Sequence, residues 1–375
     1  MNTADPIRVL HVTYDMRIGG TEQVIRNLVE STDPKTIEMS IFCIEEPLGP
    51  WGVLLERTGI QIDVHARKPG FDLKLVLALR KHILRHNVDI VHCHQYTPWV
   101  YGAFAAFGTR ACVIFTEHGR FYPDSASPKR RFVNPVLTVF TKRITAISEA
   151  TKQALGRYEY ISPKRIQVVY NGLKPVSVEN TASAKIRSSL GIQDTSIVLG
   201  SVARFDPIKN HKMMLDAFRI VVDKHPDTKL LLIGDGEERA NIETHAREIG
   251  LESNLVLPGY ISAPSAWLGA IDVFLLSSLS EGTSMTLLEA MSLAKPSVVT
   301  NVGGNPEIVI NGETGYVTPS GDANQFAKAV LHLIENSAEY DRMGSQAASR
   351  FRQNFLNTTM ARAYCECYQA VFSKG

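Results

Sequence analysis

The stretch VFLLSSLSEGTSMTLLEAMSLAKPSVVT, residues 273–300, decides the architecture. Its first four residues are apolar and read as a buried strand. Ser280, Gly282, Thr283 and Ser284 form a small polar turn, and the apolar spacing of residues 285–291 then reads as a helix. A second apolar run, 297–300, closes a strand–turn–helix–strand unit. Two glutamates sit in it, Glu281 on the turn and Glu289 on the second turn of the helix. At about 1.5 Å of rise per residue their eight-position separation spans roughly 12 Å at most. That is close to the length of a nucleotide diphosphate sugar. One carboxylate could accept hydroxyls of the sugar and the other those of the ribose, with the positive end of the helix near the diphosphate. Two solvated glutamates near a helix start are the plain alternative, and the neighbouring motifs decide between them.

The same alternation runs through the whole chain and predicts parallel α/β architecture. Strands are expected over 8–13, 38–43, 89–92, 113–116, 143–146 and 167–169. A polar, proline-bearing stretch at 174–183 reads as a linker. Strands then resume at 197–202, 229–233, 254–258, 273–276 and 297–300. The expectation is two Rossmann-like, doubly wound domains facing each other across a cleft, with ligands outside the carboxyl ends of the strands. A last helix, from about residue 360 to 372, could pack back on the first domain.

Composition bounds the function. The chain has 375 residues, enough for two cores, with 44% hydrophobic and 21% charged residues. A formal net charge of +2 gives no support to nucleic-acid binding. Five scattered cysteines, with no second pair to complement Cys365 and Cys367, read as free thiols in a reducing compartment. The first residues run directly into a strand without a signal-peptide pattern, and no window reaches the length of a bilayer span. A cytoplasmic protein is expected. Two basic stretches, 72–86 and 129–142, could touch an anionic membrane surface; ordinary surface helices packed on their domain are the default.

Other motifs fall at strand ends. The first predicted strand leads into Gly19-Gly20-Thr21-Glu22 before a helix, where paired glycines let a ligand approach the backbone. No dinucleotide fingerprint follows, which counts against an NAD oxidoreductase. In the second half, Arg204 and Lys209 lie on one loop after residues 197–202, suited to clamping a diphosphate. Asp235-Gly236-Glu237 is the nearest approach to an Asp-x-Asp metal motif, so metal-independent chemistry with no cofactor is expected. His92 and His94 read as structural strand-end histidines, whereas His118, beside Gly119, is better placed to meet a sugar.

Together these residues resemble the retaining glycosyltransferases of family 4, which have the GT-B fold. The resemblance runs over essentially the whole chain. It is carried by the first glycine turn, TEHG at 116–119, VVYNG at 168–172, the Arg204/Lys209 loop and LLLIGDGEER at 230–239. The Glu281-x7-Glu289 signature and GGNPEIVINGETGYV from Gly303 complete it. The resemblance implies an acceptor-binding domain over 1–175, a donor-binding domain over 176–358, and a crossing helix over 359–375. It implies that Glu281 holds sugar hydroxyls, Glu289 the ribose, and Arg204 and Lys209 the diphosphate, with the Gly19-Gly20 turn supporting the donor. His118 would lie near the reactive side of the sugar and Ile261 near the base. The backbone of Gly282, Thr283, Ser284, Met285 and Thr286 would cap sugar and phosphate. Thr283-Ser284 departs from the aromatic or leucine followed by glycine or proline that many relatives carry after the first glutamate.

The activity implied is transfer of a hexose or N-acetylhexosamine, from a UDP-sugar first and GDP-mannose next, in bacterial exopolysaccharide, lipopolysaccharide or capsule synthesis. The acceptor would be a glycan or lipid-linked sugar, with a peripheral contact at the inner membrane face as an option. A sugar-nucleotide epimerase of the same fold, or a non-catalytic partner in a polysaccharide complex, are the rival readings.

Overall fold

A computed structural model describes residues 5–119, 127–193 and 195–373. The chain divides into two units, one of Met1–Lys174 with Asn357–Gly375 and one of Pro175–Leu356. Each is built on one parallel sheet. The first holds β1 (Ile7–Thr13), β2 (Ile37–Cys43), β3 (Ile62–Val64), β4 (Ile90–His94), β5 (Cys112–Glu117), β6 (Thr141–Ala146) and β7 (Ile166–Val168). Their order is β3-β2-β1-β4-β5-β6-β7. The second holds β8 (Val198–Val202), β9 (Lys229–Ile233), β10 (Leu255–Gly259), β11 (Val273–Leu276), β12 (Ser297–Thr300) and β13 (Gly315–Thr318), in the order β10-β9-β8-β11-β12-β13. The order reverses between β1 and β4 and again between β8 and β11. These reversals are the topological switch points where open α/β sheets bind ligands.

Central parallel strands are covered on both faces, so they read as unbroken apolar runs. Leu230, Leu231, Leu232 and Ile233 of β9, and all four residues of β11, are buried. Each such side chain contributes about 1.5–3 kcal/mol on leaving water. In the first unit Trp99 stacks on Phe115 at 4.3 Å, and its indole N–H donates to Thr141 Oγ1 at 2.8 Å, so the ring is buried without an unpaired donor. The final helix, Asn357–Phe372, buries Met360, Tyr364, Tyr368 and Val371 against Val9, Ile90 and Ile114 of the first sheet.

The differences from expectation lie at the edges. β3 and β13 are not expected from the sequence: both are short, lie at sheet margins and are largely half-buried, so neither has a long apolar run. The stretch expected as a linker over 174–183 is only partly one, because a helix begins within it and runs Asn180–Ser189. Arg187 of that helix anchors it, donating to the Ala270 carbonyl at 2.9 Å and pairing with Asp272 at 2.6 Å.

Candidate active site

In the second unit, three loops leave the carboxyl ends of β8, β11 and β12 and are stitched to one another. The backbone N–H of Leu279 donates to Ile208 O at 2.7 Å, and Ser277 Oγ donates to Lys209 O at 2.8 Å. Thr300 Oγ1 donates to Ser278 O at 2.7 Å, tying the third loop to the second. Gly303 closes the cluster. Its φ is +50°, and a Cβ there would stand 1.7 Å from the Glu281 carbonyl oxygen, so only glycine fits.

The stitching sets one ion pair. Lys209 ends the short turn Pro207–Lys209, whose entry is fixed by Asp206 accepting from the Ile208 N–H at 3.0 Å. Its Nζ lies 2.6 Å from Glu281 Oε1, and Ser278 Oγ donates to the same carboxylate at 2.6 Å. The Lys209 side chain is 23% exposed and that of Glu281 only 9%. A carboxylate this enclosed is stable only with such partners. An ammonium has three protons, so Lys209 can hold Glu281 and still face an anion.

Arg204 is placed differently. It pairs with Asp206, and its side chain is 77% exposed. Burial works to raise the Asp206 carboxyl, but hydrogen bonds from Ile208 and Arg204 outweigh it and leave its pKa below the ordinary value. The structure thus joins Lys209 to Glu281 and leaves Arg204 at the rim of the same loop.

Gly282 and Thr283 form the half-buried bend that follows Glu281. Ser284 is the N-cap of the helix Met285–Ser292, its Oγ accepting from Leu287 N–H at 3.3 Å and lying 3.2 Å from Thr286 Oγ1. The small residue at 284 therefore has a structural use, since it satisfies one amide of the helix start. Met285 is buried, so this segment meets a ligand through backbone rather than through that side chain. Glu289 is half-buried on the second turn, and Ile261 half-buried on the loop after β10.

The remaining candidates belong to the first unit. Gly19 is the N-cap of the helix Gly20–Ser31 in extended conformation, and a Cβ on it would meet the Glu22 carboxylate at 2.5 Å. The sequence position of Glu22, inside the first turn of a helix, suggests no role by itself. Burial, helped by the Asp15 charge and opposed by its own backbone N–H and by Arg17, raises its pKa to about 7. His118 follows β5 and is half-buried; its Nε2 lies 2.8 Å from His94 Nδ1. His94 Nε2 in turn lies 2.9 Å from His11 Nδ1. His11 is missed by a reading that looks for polar residues at strand ends, because it lies inside β1, directly beside His92 of β4 in register.

Among the described residues two groups gather metal-ligating atoms: His11, His92 and His94, and Asp63, His82 and His86. The first is organised by hydrogen bonds instead. His11 and His94 bond to each other, while the His92 nitrogens lie 2.8 Å from Tyr368 OH and 2.7 Å from Thr116 Oγ1. The rings also lie face to face, His92 and His94 with centroids 4.1 Å apart and tilted 36°, so their in-plane lone pairs do not converge. In the second group His82 Nδ1 meets Asp63 at 3.1 Å, and His82 Nε2 is buried without a partner. A metal on Nδ1 would leave an Nε2–H there with no acceptor, contrary to what ligating histidines need.

Two doubly wound parallel sheets, with a cation–carboxylate pair at the switch point of the second, define a GT-B type glycosyltransferase. Family models agree: Glycosyltransferase Family 4 matches residues 18–176, and Glycosyl transferases group 1 matches residues 182–350. The chain belongs to glycosyltransferase family 4. It is 26% identical over 308 residues to N-acetyl-alpha-D-glucosaminyl L-malate synthase of Bacillus anthracis, covering 81% of this chain and 80% of that one. It is also 26% identical over 352 residues to the UDP-Gal:alpha-D-GlcNAc-diphosphoundecaprenol alpha-1,3-galactosyltransferase of Escherichia coli, covering 89% and 90%. Among solved structures, Alr3699/HepE of Anabaena in complex with UDP superposes with a TM-score of 0.87 at 22% identity, covering 97% of this chain and all of that one. That likeness establishes the fold.

Proposed function

We propose that the chain moves a hexose or N-acetylhexosamine from a nucleotide diphosphate sugar to a glycan or lipid-linked acceptor in bacterial surface-polysaccharide synthesis. The transfer retains anomeric configuration and uses no metal. The unit Pro175–Leu356 binds the donor and the other unit the acceptor. The observation that carries this reading is the Lys209–Glu281 pair, held at 2.6 Å at the switch point beside the start of Met285–Ser292. Glu281 accepts sugar hydroxyls; Lys209, Arg204 and the helix start meet the diphosphate; Glu289 takes the ribose and the backbone at Ile261 the base. UDP is the first choice of nucleotide and GDP the second, a choice supported by the UDP-galactose named for the E. coli relative.

The chemistry asked of the protein is positional and electrostatic. The acceptor oxygen attacks the anomeric carbon on the face the diphosphate leaves, and its proton passes to the departing phosphate oxygen. Lys209 and Arg204 neutralise charge building on that group, the task a divalent ion would otherwise perform.

A lipid-linked acceptor fits a feature of the first unit. The helix Pro128–Val139 turns Phe132 (75% exposed), Val136 and Val139 to solvent beside Lys129 and Arg131, and Leu73–Arg85 exposes Leu73, Leu77 and Leu84 beside Lys74, Lys81 and Arg85. An ordinary surface helix would turn its polar side outward. Apolar side chains ringed by cations suit an anionic membrane surface. No described helix is long and apolar enough to cross a membrane.

The reading is tested by binding and slow hydrolysis across a panel of sugar nucleotides, for wild type and Glu289→Ala, with and without chelator. One nucleotide sugar should bind, break down without metal, and bind more weakly to the variant. Failure of every nucleotide to bind would overturn the assignment. Sedimentation with vesicles of anionic lipid should in turn be lost on Phe132→Ser with Val139→Ser.

A further inference from the structure

Gln95 directly follows β4, at the switch point of the first sheet, and has φ +71° with ψ 169°. Glycine takes that conformation freely, and any side chain is strained in it. Tyr160 and Asn210 also have positive φ, but their ψ of 29° and 48° places them in the left-handed helical region, which other residues tolerate better. The peptides on both sides of Gln95 are fixed. Its N–H donates to the Thr116 carbonyl at 2.9 Å, and its carbonyl accepts from the Trp99 N–H at 3.1 Å, opening the helix Tyr96–Ala106.

The strain changes the face on which the side chain lies. Along β4, Val91 and Cys93 enter the core beneath Tyr96–Ala106, while His92 and His94 lie on the opposite face beside His11. Simple alternation would send Gln95 after Val91 and Cys93. Instead its Nε2 donates to Thr21 Oγ1 at 3.2 Å, in the first turn of Gly20–Ser31, the helix that packs on the histidine face. The amide oxygen Oε1 has no partner among the described residues, and Gln95 is half-buried. The floor beside it is polar as well. Thr13 ends β1 on the same face, fully buried, and its Oγ1 has no partner among the described residues. Strained residues that the surroundings hold in place cluster where ligands are bound, and the switch point is such a place.

Charge narrows the ligand. In the adjoining turn, residues 14–22, the one cation is Arg17, and it pairs with Asp15. The carboxyl of Glu22 follows Thr21 directly. A phosphate or carboxylate would find no free cation here, whereas a sugar hydroxyl would find an amide oxygen to accept its proton.

We propose that Gln95 is an acceptor-binding residue, its Oε1 accepting a hydrogen bond from a hydroxyl of an uncharged sugar ring, and that its backbone strain serves to turn that oxygen to the Thr21 side. The role toward the acceptor rests on the transferase reading above; the strain does not.

The test compares Gln95→Ala with Gln95→Gly in the full chain. Both variants lose the amide, and only glycine also loses the strain. Thermal melting should place Gln95→Gly about 2–5 °C above Gln95→Ala, the reverse of their order at ordinary backbone positions. Gln95→Ala melting at or above Gln95→Gly would overturn the strain. Initial rates follow with the octyl glycosides of glucose, galactose and N-acetylglucosamine as acceptors, using the sugar nucleotide that wild type hydrolyses. KM for the best of these acceptors should rise about 5- to 50-fold in both variants, with KM for the donor moving much less. A merely structural role would let activity follow stability, so an acceptor KM restored in Gln95→Gly would overturn the recognition role. Donor hydrolysis by wild type with transfer to none of the three glycosides would overturn the choice of an uncharged sugar. Absence of donor hydrolysis would count against the transferase reading, while the melting comparison still decides the strain.

Discussion

Replacing Lys209 by methionine keeps most of the side-chain stem and deletes the charge, which separates the electrostatic role of the residue from its packing. Two effects follow from its surroundings. In the resting protein, Glu281 loses one of its two close partners and keeps Ser278. Breaking a fully buried pair costs about 3–5 kcal/mol. Here Lys209 is 23% exposed and Glu281 retains a hydroxyl, so about 1–2 kcal/mol is expected. A domain of this size should then melt roughly 2–8 °C lower. In the proposed reaction, the leaving diphosphate would lose a preorganised cation. Removal of one such group costs about 2.7–4 kcal/mol, a fall of about 100- to 1,000-fold in turnover. The bound diphosphate already carries negative charge and gains more as the bond breaks, so the loss should appear in kcat, with a smaller rise in KM for the donor. Initial rates across donor concentration, with a melting curve on the same sample, measure both effects. A folded variant with kcat/KM within about threefold of wild type would refute the placement of Lys209 on the diphosphate.

Gly303→Ala should be damaging despite adding one methyl group, because that methyl would meet the Glu281 carbonyl at 1.7 Å on a backbone at φ +50°. Activity should fall at least about tenfold with a loss of about 2 kcal/mol or more in chemical denaturation, since the loop bearing Glu281 must move to relieve the clash. Glu22 makes a pH prediction. Its folded pKa of about 7 lies above the unfolded value of 4.5, so between these the folded state binds more protons and stability falls as pH rises. The buried histidines work in the opposite sense below their unfolded pKa of 6.5, so the comparison must be made against a variant. Glu22→Gln should remove the Glu22 contribution and leave the protein about 1–3 kcal/mol more stable than wild type at pH 8, with little difference at pH 5. Parallel urea denaturation curves at the two pH values would show a constant difference if burial of the charged form does not matter.

The sequence shows most of this fold wherever strands are covered on both faces. KLLLI at 229–233 and VFLL at 273–276 could hardly be anything but central strands, and their bounds match the structure. β3 and β13 are silent because a short, half-covered edge strand carries too few apolar residues to form a pattern. In the site, the sequence supplies the members and not their pairing. Arg204 and Lys209 look alike as cations on one loop, yet the turn at Pro207–Lys209 directs only Lys209 to Glu281. His11 escapes notice for a related reason. Its hydrogen-bond partner His94 lies 83 positions away, and only strand register brings the rings together.

The last helix has a consequence for synthesis. Asn357–Phe372 belongs to the first unit, but roughly 180 residues of the second unit precede it in the chain. At about 5–20 residues per second, a ribosome takes roughly 10–40 s to cross that interval. Throughout it, Val9, Ile90 and Ile114 of the first sheet lack the cover that Met360, Tyr364 and Tyr368 will provide. The first unit therefore cannot complete its core until this helix has been made, and until then the sheet face has only the helix Gly20–Ser31, through Val24 and Leu28, against it.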